Sequence, residues 1–130
     1  MISSSHKFIF IHSPKTGGNS IQAALNEYSD DELVTSDDHQ DGKERFSLKN
    51  EKFKGLVKHS GLQDYWDAMG ADLDAYRIFT TIRNPFDRIV SFYFSPHRGN
   101  VVWDENEFKR FVKTVPSLET FLLLREGFFL

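Results

Sequence analysis

Lys7-Phe8-Ile9-Phe10-Ile11-His12-Ser13-Pro14-Lys15-Thr16-Gly17-Gly18-Asn19-Ser20-Ile21-Gln22-Ala23-Ala24-Leu25 decides the fold of this chain. A short apolar strand runs through a glycine-bearing loop into a helical segment. Such a junction makes an anion site, because loop N–H groups and the positive end of the helix dipole face whatever the loop encloses. Gly17 and Gly18 allow a tight turn and close backbone approach to a phosphate. Lys15 adds a positive charge, and Thr16 and Ser20 add hydroxyls. The alternative is an ordinary strand-to-helix turn that contains two glycines.

Residue order restricts the kind of phosphate loop. In nucleoside triphosphatases the lysine follows the last glycine and precedes Ser or Thr. Here Lys15 precedes the glycine pair, and neither Gly-Lys-Ser/Thr nor the six-residue dinucleotide fingerprint occurs.

A second junction follows the same plan. Tyr76-Arg77-Ile78-Phe79-Thr80-Thr81-Ile82 has strand composition and runs into Arg83-Asn84-Pro85-Phe86-Asp87-Arg88-Ile89-Val90-Ser91-Phe92-Tyr93. Asn84 suits the N-cap, Pro85 the first helical position, and Asp87 the first turn. Arg83 and Ser91 are placed to grip one phosphate from two sides, and arginine's planar fork matches phosphate oxygens in pairs. For Arg88, helix-end salt bridging with nearby acids is the competing role.

Between the two junctions, 53–58 reads as a short strand, which would put His59 at a third strand end on the same rim. Leu62, Tyr65, Trp66 and Met69 recur at helical spacing, and Gly70 is a plausible stop. In open α/β sheets that rim is where ligands bind. A histidine before a helix is also commonly a cap or a surface residue. His12 is placed to pack or hydrogen-bond beneath the first loop. His6, His39 and His97 lie in polar stretches, and no histidine spacing suggests a metal site.

Pro14-Lys15-Thr16-Gly17-Gly18-Asn19-Ser20 resembles the 5′-phosphosulfate loop of sulfotransferases that use 3′-phosphoadenosine-5′-phosphosulfate (PAPS), and in particular bacterial, carbohydrate-sulfotransferase-like members. Those usually read Pro-Lys-Thr-Gly-Gly-Thr-Ser, so Asn19 departs by the loss of a hydroxyl. The Arg83 to Tyr93 run resembles the family's second motif. There, by resemblance, Arg83 and Ser91 hold the 3′-phosphate. Lys58-His59 matches a Lys-His pair in bacterial relatives, which implies His59 as the catalytic base. The resemblance implies Lys15, Thr16, Gly17, Gly18, Asn19 and Ser20 as cofactor-binding residues, with Lys15 also catalytic, and no metal. It also implies an α/β fold related to nucleotide kinases: a P-loop-kinase-like parallel sheet flanked by helices, in three α/β/α layers. The alternating strand and helix order independently argues for a parallel sheet with right-handed crossovers.

The implied reaction is in-line sulfuryl transfer to a hydroxyl or amine of a small-molecule or carbohydrate acceptor. Two alternatives stay open. One is a non-catalytic module binding the nucleotide product, 3′-phosphoadenosine 5′-phosphate. The other is an ATP-dependent small-molecule kinase, which would need magnesium-binding acids beside Ser20.

The remaining sequence fits one domain over 1–130. This length supports one core rather than two, and 13 phenylalanines give that core bulk. With no cysteine there is neither a disulfide framework nor thiol chemistry. No apolar run approaches the ~20 residues of a bilayer span, no signal peptide stands out, and a cytoplasmic protein is the expectation. A net charge of −3 argues against a general nucleic-acid binder.

Acidic residues crowd 27–41, which reads as a long exposed connection. Asp104 with Glu107 reads as a helix start, with Phe108, Phe111, Val112 and Val115 as its apolar stripe. Pro116 stops that helix, and Ser117 is expected to cap a last one over Leu118–Arg125. Family members normally continue beyond this length, so the chain is expected to be the N-terminal part of a longer family fold.

Overall fold

The structure is a computed structural model that describes residues 1–38 and 44–124, with the side chains of 35–38 and 44–46 outside the description. It is mixed α/β. Strands β1 (Ile2–Ser3), β2 (Phe8–Ile11) and β5 (Arg77–Thr80) form one sheet in the order β1-β2-β5, and β3 (Glu32–Asp38) and β4 (Glu44–Lys49) form a hairpin. The helices are α1 (Gly18–Leu25), α2 (Leu62–Met69), α3 (Pro85–Tyr93), α4 (Glu105–Val112) and the short α5 (Glu119–Leu122). Short 3-10 helices cover Asn26–Tyr28, Gly70–Ala75 and Pro96–Arg98.

The central strand β2 explains itself from its sequence. Ile9, Phe10 and Ile11 are all buried, as expected of a strand covered on both faces. Ile9 and Ile11 join Ile2, Tyr65 and Leu73 in the core, against which α2 and α5 lay Leu62, Trp66, Met69, Phe121 and Leu122. Fully burying each such aliphatic side chain is worth about 1.5–3 kcal/mol. On the other face Phe10 packs against Phe79 and stacks on the ring of His12.

The pairing β2–β5 is parallel and joins the two predicted junctions, with Phe8 opposite Arg77 and Ile11 opposite Thr80. The sheet as a whole is mixed rather than parallel, because β1 turns back antiparallel on β2. A turn at Ser4–Lys7 allows this, with Lys7 at a φ of 54°.

Three other expectations are corrected. Residues 53–58 form no strand. Asn50 Oδ1 accepts the N–H groups of Lys52 and Phe53, at 2.9 and 2.8 Å, and Ser60 Oγ accepts that of Val57 at 2.9 Å. Side chains thus capture the donors that a ladder needs. Gly55, at a φ of 100°, turns the chain.

The acidic stretch 27–41 is not one exposed loop. It contains β3, with Leu33 opposite Leu48 and Glu32 opposite Lys49. A cross-strand charge pair of that kind stabilises a hairpin. Residues 39–41 lie outside the described ones. The last helix is shorter than expected, ending at Leu122, with Leu118 rather than Ser117 at its N-cap. Arg125 lies outside the described residues.

The other caps follow the sequence. Asn84 Oδ1 accepts from Phe86 N at 3.0 Å, and Asp104 Oδ1 accepts from Glu107 N at 2.6 Å. Gly70 follows Met69 at the end of α2 with a φ of 57°.

Candidate active site

The parallel pairing of β2 and β5 brings both glycine- and arginine-bearing junctions to neighbouring carboxyl-terminal strand ends. The loop after β2 makes a sharp turn, with Lys15 at a φ of 65° and Gly17 at 87°. Gly17 caps α1. Among the described residues nothing lies within 4 Å of where a Cβ at Gly17 would stand, so the backbone there faces open space. A phosphate can approach it without meeting a side chain. Ser20 N–H turns back to Gly17 O at 3.1 Å, while Ser20 itself is exposed and Asn19 half-buried.

Gly18 serves a different purpose. A Cβ there would stand 2.0 Å from His12 Cδ2 and 2.3 Å from His12 Nε2. His12 is buried directly under the start of α1, as the sequence suggested, and its Nδ1 pairs with Gln22 Oε1 at 2.8 Å. Burial first, and the neighbouring His59 second, push the His12 pKa down to about 3, so the ring is neutral. Gln22, which the sequence did not single out, ties α1 to the strand end through this bond.

Thr16 is buried and turned inward. Its hydroxyl donates to Ser13 O at 2.7 Å and meets Thr81 Oγ1 at 3.0 Å. The side chain therefore braces the loop against the strand-end segment after β5. What Thr16 can offer a ligand is its backbone N–H.

Arg83 leaves that same segment, and its Nη1 stands 3.5 Å from Lys15 O. The guanidinium is exposed and beside the loop. Ser91 is half-buried on α3. No hydrogen bond joins Arg83 to Ser91 among the described residues. The competing role for Arg88, salt bridging with nearby acids, is not what the described residues show. Arg88 is buried and donates from Nε to Pro14 O at 3.1 Å and from Nη1 to Pro116 O at 2.9 Å.

His59 is presented by a turn rather than by a strand end, yet it stays at the rim. Its Nδ1 lies 2.9 Å from His12 O, and the two imidazole rings meet edge-on at 4.5 Å. A carbonyl only accepts, so Nδ1 is the protonated nitrogen of the neutral ring. Nε2 then carries the lone pair, which is the form a proton acceptor needs. His59 is largely exposed, yet partial burial of its ring lowers its pKa. Burial likewise lowers the pKa of the adjacent half-buried Lys58.

The family model of the sulfotransferase family matches residues 1–117. The chain belongs to the sulfotransferase family. No curated protein and no solved structure matches it. Among the described residues, no group of three or more His, Cys, Asp or Glu side chains is placed to hold a metal ion. No described helix is long and apolar enough to cross a membrane.

Proposed function

We propose that this chain transfers a sulfuryl group from PAPS to an acceptor hydroxyl or amine, with the nucleotide lying across the strand ends of β2 and β5. The observation that carries this is the meeting of two motifs 68 residues apart, with Arg83 Nη1 at 3.5 Å from Lys15 O. One anion site alone suits any phosphate. Two at neighbouring strand ends suit a nucleotide phosphorylated at both ends. The open backbone at Gly17, the start of α1 and the exposed guanidinium of Arg83 fit such a group.

In this account the N–H groups of Thr16, Gly17, Gly18 and Asn19, with Ser20 Oγ, hold the 5′-phosphate. Arg83 and Ser91 hold the 3′-phosphate and select this donor over ATP. PAPS, when bound, supplies an activated sulfuryl group. Lys15 supplies positive charge where negative charge grows on the oxygens. His59 Nε2 takes the acceptor's proton as general base, its tautomer set by the bond to His12 O. The acceptor class belongs to this proposal as a small molecule or carbohydrate. A P-loop-kinase-like, three-layer arrangement is the finer fold that the order of β2, α1 and β5 supports.

Mass-spectrometric detection of sulfate on an acceptor panel tests it. Turnover is expected with PAPS and not with ATP and magnesium. His59→Ala and Lys15→Ala are each expected to lower kcat by about 10²-fold or more. Binding of the nucleotide with no transfer to any acceptor would leave a binding module, and near-normal kcat in both variants would remove the mechanism.

A further inference from the structure

Arg88 is an unusual charge. It is only 6 % exposed, and no carboxylate faces it among the described residues. Its partners are two backbone carbonyls, Pro14 O and Pro116 O, and its guanidinium lies over Phe92 at 5.0 Å. Among the described residues its Nη2 is buried without a partner. A buried cation satisfied only by carbonyls is costly, and an apolar residue would fill the space more cheaply. What a forked side chain does here that an apolar one cannot is to fix geometry.

The three places it joins are informative. Pro14 immediately precedes Lys15 in the loop. Arg88 itself rides on α3, five residues after Arg83 and three before Ser91. Pro116 lies in the link between α4 and α5. One side chain therefore ties the backbone of the Lys15 loop to the helix that carries the second anion site.

We propose that Arg88 is a positioning residue that fixes the spacing between the two phosphate pockets, and so sets the preference for a nucleoside bisphosphate over a monophosphate. This rests on the reading given under Proposed function. A ligand that reaches both pockets gains from its second phosphate only when their separation matches its own span. A displacement of about 1 Å is enough to lose much of that gain. A monophosphate in the loop needs no such match.

Calorimetry with adenosine 3′,5′-bisphosphate and with AMP tests this on the wild-type chain, Arg88→Lys and Arg83→Ala. Lysine keeps the charge but lacks the planar fork whose separate nitrogens reach Pro14 O and Pro116 O. The wild type is expected to prefer the bisphosphate, and Arg83→Ala to abolish that preference. Arg88→Lys is expected to cut the affinity ratio by about tenfold or more, with AMP affinity unchanged within about twofold. An unchanged ratio in Arg88→Lys, including equal weakening of both ligands, would overturn the spacing role and leave the two pockets standing.

A wild type without preference, or a preference that survives Arg83→Ala, would overturn the pockets and the role of Arg88 with them. Should Arg88→Lys fail to fold, solvent exchange of the Arg88 Nε proton in the wild type decides. Slower exchange with the bisphosphate than with AMP supports the role, and equal exchange overturns it.

Discussion

Gly18→Ala sets two effects of opposite sign against each other. Helix propensity alone favours alanine inside α1 by about 0.5–1 kcal/mol. The structure opposes it, because the new Cβ would stand 2.0 Å from His12 Cδ2. The His12 ring cannot swing away freely, since it is 3 % exposed and held to Gln22 at 2.8 Å. Overpacking a rigid site costs about 1–3 kcal/mol. Stripping a buried polar group of its partner costs about 1–3 kcal/mol more. The net expectation is a loss of about 3 kcal/mol, measured as a shift of the urea midpoint at constant m.

In a His12→Ala background the clash is gone. Gly18→Ala should then cost less than about 1 kcal/mol, which gives a coupling of about 2–3 kcal/mol in the cycle. A neutral or stabilising Gly18→Ala in the wild type would show that the His12 ring gives way to the new Cβ. An equal cost in both backgrounds would show that the cost does not come from His12.

The buried, neutral His12 also makes stability depend on pH. Its folded pKa of about 3 lies below its usual 6.5, so the unfolded chain binds the extra proton. The stabilisation is present above pH 6.5 and is lost as pH falls toward 3. Between pH 7 and 5 the wild type should lose about 2 kcal/mol more than His12→Gln, which cannot titrate. Parallel pH profiles in urea unfolding would contradict this.

Arg98 pairs with Glu107, donates to Tyr93 O at 2.7 Å and lies over the rings of Tyr93 and Phe111. Arg98→Ala should therefore cost about 1–2 kcal/mol by loosening α4 from α3. Lys109→Ala breaks only the exposed helix pair with Glu105 and should cost less than about 0.5 kcal/mol, so similar thermal shifts for the two would count against the packing role of Arg98.

How much of this was legible in the sequence depended on how local each signal was. Phe8–Ile11 followed by Gly17 and Gly18, and Asn84-Pro85 opening a helix, carry strand, turn and cap chemistry within a few residues. Those elements were readable, and so was His12 beneath its loop. The hairpin was not, because Leu33 and Leu48 pair across 15 positions of largely charged and polar sequence. The apparent strand at 53–58 failed because Asn50 and Ser60, both outside it, take its N–H groups.

Arg88 showed the same limit. Its carbonyl partners lie 74 and 28 residues away, and no pattern of residue types announces a backbone acceptor. The inward turn of Thr16 was equally hidden, since its partner Thr81 becomes a neighbour only through the β2–β5 pairing.

A crystal structure of the chain with adenosine 3′,5′-bisphosphate decides whether one nucleotide spans both anion sites. The 5′-phosphate is expected over the loop from Lys15 to Ser20 and the 3′-phosphate between Arg83 and Ser91, in one molecule. A nucleotide with either phosphate elsewhere, or with Arg83 turned away from both, would contradict this placement.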